Sequence, residues 1–242
     1  MRFLFSLLFF VLTLYAEENF ILSDGSRILF EKGSKLDLRV TPACSFNIAL
    51  ALIGYETGAL HDENSPSIDF QEGFDDYIPV WKGTHTPLSW MKHSVVWYSR
   101  LLTSKVGLET IDKFLNDFDY GNKDFSGGLT KAWISSSLNI SPREQLHFIE
   151  RIVKHELPLS ERTLALTRAL LLRDEADGVK IFGKTGLGSY YENGEKIQVG
   201  WLVGWVEKGE ETFPFAYNLH EPLINDQRLL RLKVLLSEAG VL

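Results

Sequence analysis

Pro42-Ala43-Cys44-Ser45-Phe46-Asn47 opens an apolar run, Ile48-Ala49-Leu50-Ala51-Leu52-Ile53-Gly54-Tyr55, that stops at Thr57-Gly58. A stretch of this composition, entered through Thr41-Pro42 and left through glycine, predicts a buried helix over 43–55 with a glycine cap. Cys44 then lies at the amino-terminal end of that helix. Asn47, three residues on, shares its face.

Before this stretch, Asp24-Gly25 separates the apolar runs of 20–30, a strong hairpin signal. After it, residues 61–90 are rich in Pro, Gly, Asp, Ser and Trp without periodicity and predict an irregular connection. From Leu88 to Val106 the apolar spacing is helical, and a second helix covers Glu109 to Phe118. Ser141-Pro142-Arg143-Glu144 carries a serine cap, a first-turn proline and an early acid, so a helix begins there and runs to about Lys154. Another spans about Glu161 to Arg173. The last third turns strand-like, at Val179 to Thr185, Ile197 to Val206 and Thr212 to Leu219, with turns at Asn193-Gly194 and Lys208-Gly209. Asp226 to Ala239 closes the chain as a helix. Strands at both ends with helices between predict an α+β fold: an antiparallel sheet flanked by helices, built from both termini, with a helical region inserted in its middle.

The 242 residues are 45% hydrophobic, enough for one sizeable core. Met1-Arg2, the apolar run Phe3 to Leu12 and small Ala16 before Glu17-Glu18 predict an export signal over 1–16, leaving 17–242 as one domain. The run falls short of the roughly 20 residues a membrane span needs. The expectation is a periplasmic or secreted protein without stable membrane insertion after cleavage. Net charge is −7, and −8 once Arg2 is removed, which argues against nucleic acid or an anionic membrane surface as partner. The single cysteine has no internal disulfide partner. None of the six histidines shows the spacing of a zinc site, so no metal or cofactor is expected. Gly186-Leu187-Gly188 leaves a strand without a helix to follow and is no dinucleotide loop. Trp201 and Trp205 alternate on a strand and belong to the core. A homodimer is left open.

Four short elements occur in order: Pro42 to Asn47, Ser94-Val95-Val96, Tyr120-Gly121-Asn122 and Lys184-Thr185-Gly186. Each alone is weak. The ordered set resembles the class D, oxacillinase-type serine β-lactamases of the penicillin-binding, transpeptidase-like superfamily. Further stretches extend the resemblance: Ile53 to Gly58, Ser126-Gly127-Gly128, Trp133 in Ala-Trp-Ile-Ser-Ser-Ser-Leu, Ile140-Ser141-Pro142 and Gly200 to Glu207. It implies a five-stranded-type antiparallel sheet with an α-helical subdomain and an active site in the cleft between them. It also implies β-lactam hydrolysis through an acyl-enzyme, with a β-lactam or a peptidoglycan peptide as ligand.

The resemblance assigns roles. Ser94 relays protons toward the lactam nitrogen. Lys184, Thr185 and Gly186 line the cleft and bind the substrate carboxylate, with Arg228 as the late arginine. The backbone N–H groups of Cys44 and Leu187 form the oxyanion hole, and Trp133 contacts the carbamylated lysine. The family's Pro-x-Ser-Thr-Phe-Lys reads Pro42-Ala43-Cys44-Ser45-Phe46-Asn47, so nucleophile and general base both differ. Shifting the register to Ser45 fails, because Ile48 stands three residues later. Asparagine carries no carbamate and is no base near neutrality. General-base assistance is worth roughly 10²–10⁴ in rate, but cysteine needs less of it, since a small fraction of an ordinary thiol is already thiolate. Acylation by Cys44 is therefore feasible, while deacylation lacks a group to activate water.

Structural readings stand beside these. Cys44 as a buried small residue, Asn47 as a hydrogen-bonding core amide, Ser94 as a helix-start serine, Trp133 as packing and Tyr120-Gly121-Asn122 as a turn all remain open. So do two other functions: a binding or sensor protein that acylates without turnover, and a cysteine-based acyl hydrolase on the same scaffold.

Overall fold

The computed structural model describes residues 17–221 and 227–242; the expected export signal lies outside them. Strand β1 (Glu17–Ser23) turns at Asp24, whose Oδ1 accepts the N–H groups of Ser26 and Arg27, and returns as β2 (Ile28–Lys32). The Asp24-Gly25 signal thus produces the expected hairpin.

Between the two groups of strands run α1 (Asn47–Glu56), α2 (Pro87–His93), α3 (Val96–Val106), α4 (Leu108–Phe118), α5 (Pro142–Val153) and α6 (Glu161–Leu170). Helix α5 starts as its sequence predicts: Ser141 Oγ accepts the Glu144 N–H and the Glu144 carboxylate accepts the Ser141 N–H. The helical stretch expected from Leu88 to Val106 is divided. Ser94 takes the left-handed conformation (φ 52°, ψ 47°) and ends α2, and α3 restarts after Val95.

The chain then forms β3 (Leu172–Ala176), β4 (Val179–Glu192), β5 (Glu195–Lys208), β6 (Glu211–Glu221) and the final helix α7 (Arg228–Glu238). The sheet order is β2-β1-β6-β5-β4-β3, with every neighbouring pair antiparallel. It therefore has six strands where five were expected. The extra strand is β3, a short charged edge segment whose hairpin turn, Asp177-Gly178, has both residues at positive φ (51° and 78°). The β4–β5 ladder runs unbroken from Val179↔Lys208 to Glu192↔Glu195 and turns at Asn193-Gly194, also both at positive φ (52° and 83°).

The sheet separates two apolar layers. Leu232, Leu235 and Leu236 of α7 pack on Phe20, Leu202, Phe215 and Tyr217 on one face. On the other, α1 is buried along Asn47 to Tyr55, as an all-round apolar helix must be, and belongs to the same apolar cluster as Trp201, Val203 and Trp205. No helix among the described residues is long and apolar enough to cross a membrane.

Candidate active site

Residues 43–46 form a single 3-10 turn leading into α1, and Cys44 sits in it, half-buried. Ala43 adopts a left-handed φ of 47°, uncommon for a residue with a Cβ. Its surroundings hold it there. Thr41 Oγ1 donates to the Trp133 carbonyl (2.9 Å) and accepts the Ser135 N–H (2.9 Å), and Trp201 Nε1 donates to the Thr41 carbonyl (2.8 Å). Gly186 of β4 abuts the same turn: a Cβ there would lie 2.7 Å from Pro42 O and 2.9 Å from Ser45 N. Glycine is what lets β4 approach so closely.

Cys44 opens onto a cavity of about 500 Å³ that Ser94, Thr185, Gly186, Leu187 and Arg228 also line. Ser45 faces away from it. Its hydroxyl is buried, donates to Pro42 O (2.7 Å) and accepts from Gln145 Nε2 (2.9 Å).

The β4 side of the cavity is fully hydrogen-bonded. Lys184 is 0% exposed, and its Nζ donates to Ser94 Oγ (2.5 Å) and to Thr185 O (2.8 Å). The left-handed turn at Ser94 brings that hydroxyl over β4. Arg228, at the first turn of α7 and 7% exposed, donates through Nη1 to the carbonyls of Gly186 and Trp201. Lys92, His93 and Arg173 also line the cavity, whereas no carboxylate does among the described residues. Burial, with Lys92 and His85 nearby, pushes the His93 pKa below its usual value, so the ring is neutral at pH 7. A chain of net charge −7 thus presents a cleft walled by lysine and arginine, which favours anionic ligands.

The α1 side contrasts with it. Asn47 is 0% exposed; Ser99 Oγ donates to its Oδ1 (3.2 Å) and in turn accepts from Trp90 Nε1 (2.8 Å). Asn47 Nδ2 and Trp133 Nε1 are buried with no acceptor among the described residues. Trp133 stacks on Phe125 (centroids 6.1 Å apart, 17°) and leans on Phe46 (5.9 Å). Asn47 and Trp133 therefore lie behind the cavity lining. Tyr120-Gly121-Asn122 is a buried turn: Asn122 Nδ2 donates to Ser137 O (2.8 Å) and its Oδ1 accepts the Asn139 N–H (3.0 Å).

Six of the nine site residues expected from sequence line one cavity or bond directly to its lining on the β4 side, and Cys44 joins them from the turn before α1. Arg173, His93 and Lys92 were not anticipated. For Arg173, the overlooked signal was Asp177-Gly178, which marks β3 as the hairpin partner of β4.

Residues 32–231 match the penicillin-binding protein transpeptidase domain. The chain is 37% identical over 204 residues to the β-lactamase OXA-9 of Klebsiella pneumoniae, covering 78% of this chain and 73% of that one. It is 32% identical to the probable β-lactamase YbxI of Bacillus subtilis (strain 168), covering 76% and 66%. The crystal structure of the OXA-427 class D β-lactamase superposes with a TM-score of 0.84 at 37% identity, covering 92% of this chain and 96% of that one. The ordered motifs, the six-stranded sheet with its inserted helices and these likenesses agree: the chain belongs to the class D β-lactamase family within the penicillin-binding transpeptidase superfamily.

Proposed function

We propose that this protein is an exported binder of penicillin-type β-lactams or of the related peptidoglycan peptide, capturing the acyl group on Cys44 and releasing it slowly. The observation that carries this reading is the asymmetry around Cys44. Its β4 side keeps a Lys184–Ser94 pair, whereas on its α1 side Asn47 Nδ2 and Trp133 Nε1 are buried with no acceptor among the described residues.

The ligand carboxylate is drawn to the cationic wall at Lys184, Thr185 and Arg228. The Cys44 thiolate, its proton given to solvent, adds to the lactam carbonyl carbon. The N–H groups of Cys44 and Leu187 stabilise the resulting oxyanion. As the carbon–nitrogen bond breaks, the leaving nitrogen takes the Ser94 hydroxyl proton, which Lys184 replaces. Because Lys184 Nζ donates to Ser94 Oγ, the serine's own O–H is left to donate toward the ligand. The product is a thioester. In a class D enzyme a carbamylated lysine would then activate water. Asn47 has no amine to carry that carbamate, and Trp133 Nε1, which would donate to it, has no acceptor among the described residues. The carbamate does not fit this chain, so no hydrolytic step passes through it.

Mass spectrometry after incubation with benzylpenicillin tests the reading. A long-lived adduct on Cys44, absent in Cys44→Ala, is the expected result. Rapid multiple turnover overturns slow capture. If no adduct forms and saturating ligand leaves thermal unfolding unchanged, the lactam reading is wrong.

A further inference from the structure

Helix α2 ends at His93, and the left-handed Ser94 follows it. Two contacts fix His93 at this corner. Trp81 Nε1 donates to its carbonyl (2.9 Å), and its ring meets that of His85 edge-on, with centroids 6.1 Å apart at 66°. His85 is itself held, because Nε2 donates to the Val80 carbonyl (2.9 Å) and Nδ1 lies 3.1 Å from Ser89 Oγ. The half-buried His93 opens onto the same cavity as Cys44. Neither of its ring nitrogens has a hydrogen-bond partner among the described residues.

The groups around His93 leave it one chemical role. Lys92 precedes it on α2, His85 packs against its ring, Arg173 and Arg228 line the cavity from β3 and α7, and Lys184 reaches the cavity through Ser94. None is an acid. Burial, with Lys92 and His85 nearby, holds the His93 pKa below its usual value, so a ring nitrogen is free to accept a proton at pH 7. Among the described lining residues, His93 is thus the base that remains once Cys44 carries an acyl group. A thiol needs little help in losing its proton, since a small fraction is already thiolate. Water needs more, and general-base assistance is worth roughly 10²–10⁴ in rate.

We propose that His93 is the general base that releases the acyl group from Cys44. The inference rests on the functional reading above for the thioester and names the route by which it is lost. The free imidazole nitrogen takes a proton from a water in the cavity as the water oxygen adds to the thioester carbonyl carbon. The carbon–sulfur bond then breaks, and the imidazolium returns its proton to the departing sulfur. A carboxylic acid, the Cys44 thiol and neutral His93 result. Release stays slow because the burial and cations that keep the imidazole neutral also weaken it as a base.

The test loads Cys44 without lactam chemistry. p-Nitrophenyl acetate acetylates the thiol of the full chain, excess reagent is removed, and peptide mass spectrometry follows loss of the acetyl group from about pH 5 to 9. In the wild type, release should rise with pH as the imidazole loses its proton, inflect below the ordinary histidine value and then level off. It should be slower in D2O. His93→Gln should slow release at pH 7 by about 10² or more and leave only the steady rise with pH that marks hydroxide. Wild-type release from folded His93→Gln overturns the proposal. So does a wild-type profile without the level region or with equal rates in D2O, neither of which depends on a variant folding. Failure of the reagent to acylate Cys44 overturns it too. His93-dependent release beside a missing benzylpenicillin adduct sinks the lactam reading alone, and a benzylpenicillin adduct beside His93-independent release sinks this proposal alone.

Discussion

The wall that β4 gives the cleft and the floor that α1 gives it meet at Cys44, and they differ in how their polar groups are satisfied. On the β4 side, Lys184, Ser94, Thr185, Arg173 and Arg228 are joined by hydrogen bonds that reach from the edge strand to α7. On the α1 side, the chain from Trp90 through Ser99 ends on Asn47 Oδ1, and Asn47 Nδ2 and Trp133 Nε1 find no acceptor among the described residues. A buried donor left unmade costs about 1–3 kcal/mol, so a family member retains such a floor at some expense in stability. The wall is what a ligand meets, whereas the floor is where a deacylating base would stand. This difference is what the proposed slow capture on Cys44 rests on.

The strongest way to break this contrast is to rebuild the floor. The double variant Cys44→Ser with Asn47→Lys restores nucleophile and base together, and bicarbonate should be supplied to load the lysine. Hydrolysis of a chromogenic cephalosporin should rise by roughly 10²–10⁴ over the wild type, the usual worth of general-base assistance. A folded but inactive double variant would show that the wall has drifted as well, and the contrast would fail.

Removing the wall's central group should give the next largest effect. Lys184→Met keeps the length of the side chain, removes its donors to Ser94 and Thr185, and leaves the Ser94 hydroxyl with no replacement proton. Adduct formation on Cys44 should slow by about 10² or more. Adduct formation at the wild-type rate would mean that the leaving nitrogen is protonated by solvent and that Lys184 serves only the fold.

The meeting point of wall and floor can be pried apart with one side chain. Gly186→Val places a Cβ within 3 Å of Pro42 O and Ser45 N, both backbone atoms that cannot rotate away. Overpacking of this kind costs about 1–3 kcal/mol, read as a lowered denaturation midpoint with unchanged slope. A neutral result would mean that the 3-10 turn carrying Cys44 moves easily, and the close approach would lose its meaning.

How much of this was legible in the sequence follows the same division. Local chemistry was readable: Asp24-Gly25 and Asn193-Gly194 form the hairpins they predict, and Ser141 with Glu144 forms its capping box. The resemblance carried by four ordered motifs implied that Cys44, Ser94, Lys184 and Thr185 share one cleft. Strand β3 escaped because Arg173-Asp174-Glu175 carries no apolar alternation, although Asp177-Gly178 marked its turn. The break at Ser94 escaped for a different reason. A left-handed serine inside a helical spacing is stabilised by contacts distant in sequence, with Lys184 bonding its hydroxyl and Trp81 Nε1 donating to the His93 carbonyl beside it (2.9 Å). Arg173 was hidden for both reasons at once, since it is the extra residue of a bulge between β3 and β4, and a bulge is a property of a pairing and not of a strand. The floor, with two donors that find no acceptor among the described residues, was equally silent, because such a donor is defined only by what surrounds it.

The smallest expected effect is the most direct reading of that floor. Trp133→Phe removes one buried N–H while keeping a ring that can still stack on Phe125 and lean on Phe46. Losing the larger ring costs packing, of which aromatic contacts with neighbours contribute about 0.5–1.5 kcal/mol, and losing the orphaned donor returns about 1–3 kcal/mol. The two nearly cancel, so the denaturation midpoint should stay within about 1 kcal/mol of wild type or rise slightly. The same change in the Asn47→Lys background should instead be costly, because Trp133 Nε1 would there have an acceptor to lose. A double-mutant cycle between positions 47 and 133 measures this directly, with a coupling energy near zero for asparagine and about 1 kcal/mol or more for lysine. A large loss from Trp133→Phe in the wild type would mean that the indole N–H is already satisfied, and the contrast between wall and floor would reduce to the chemistry of Cys44 alone.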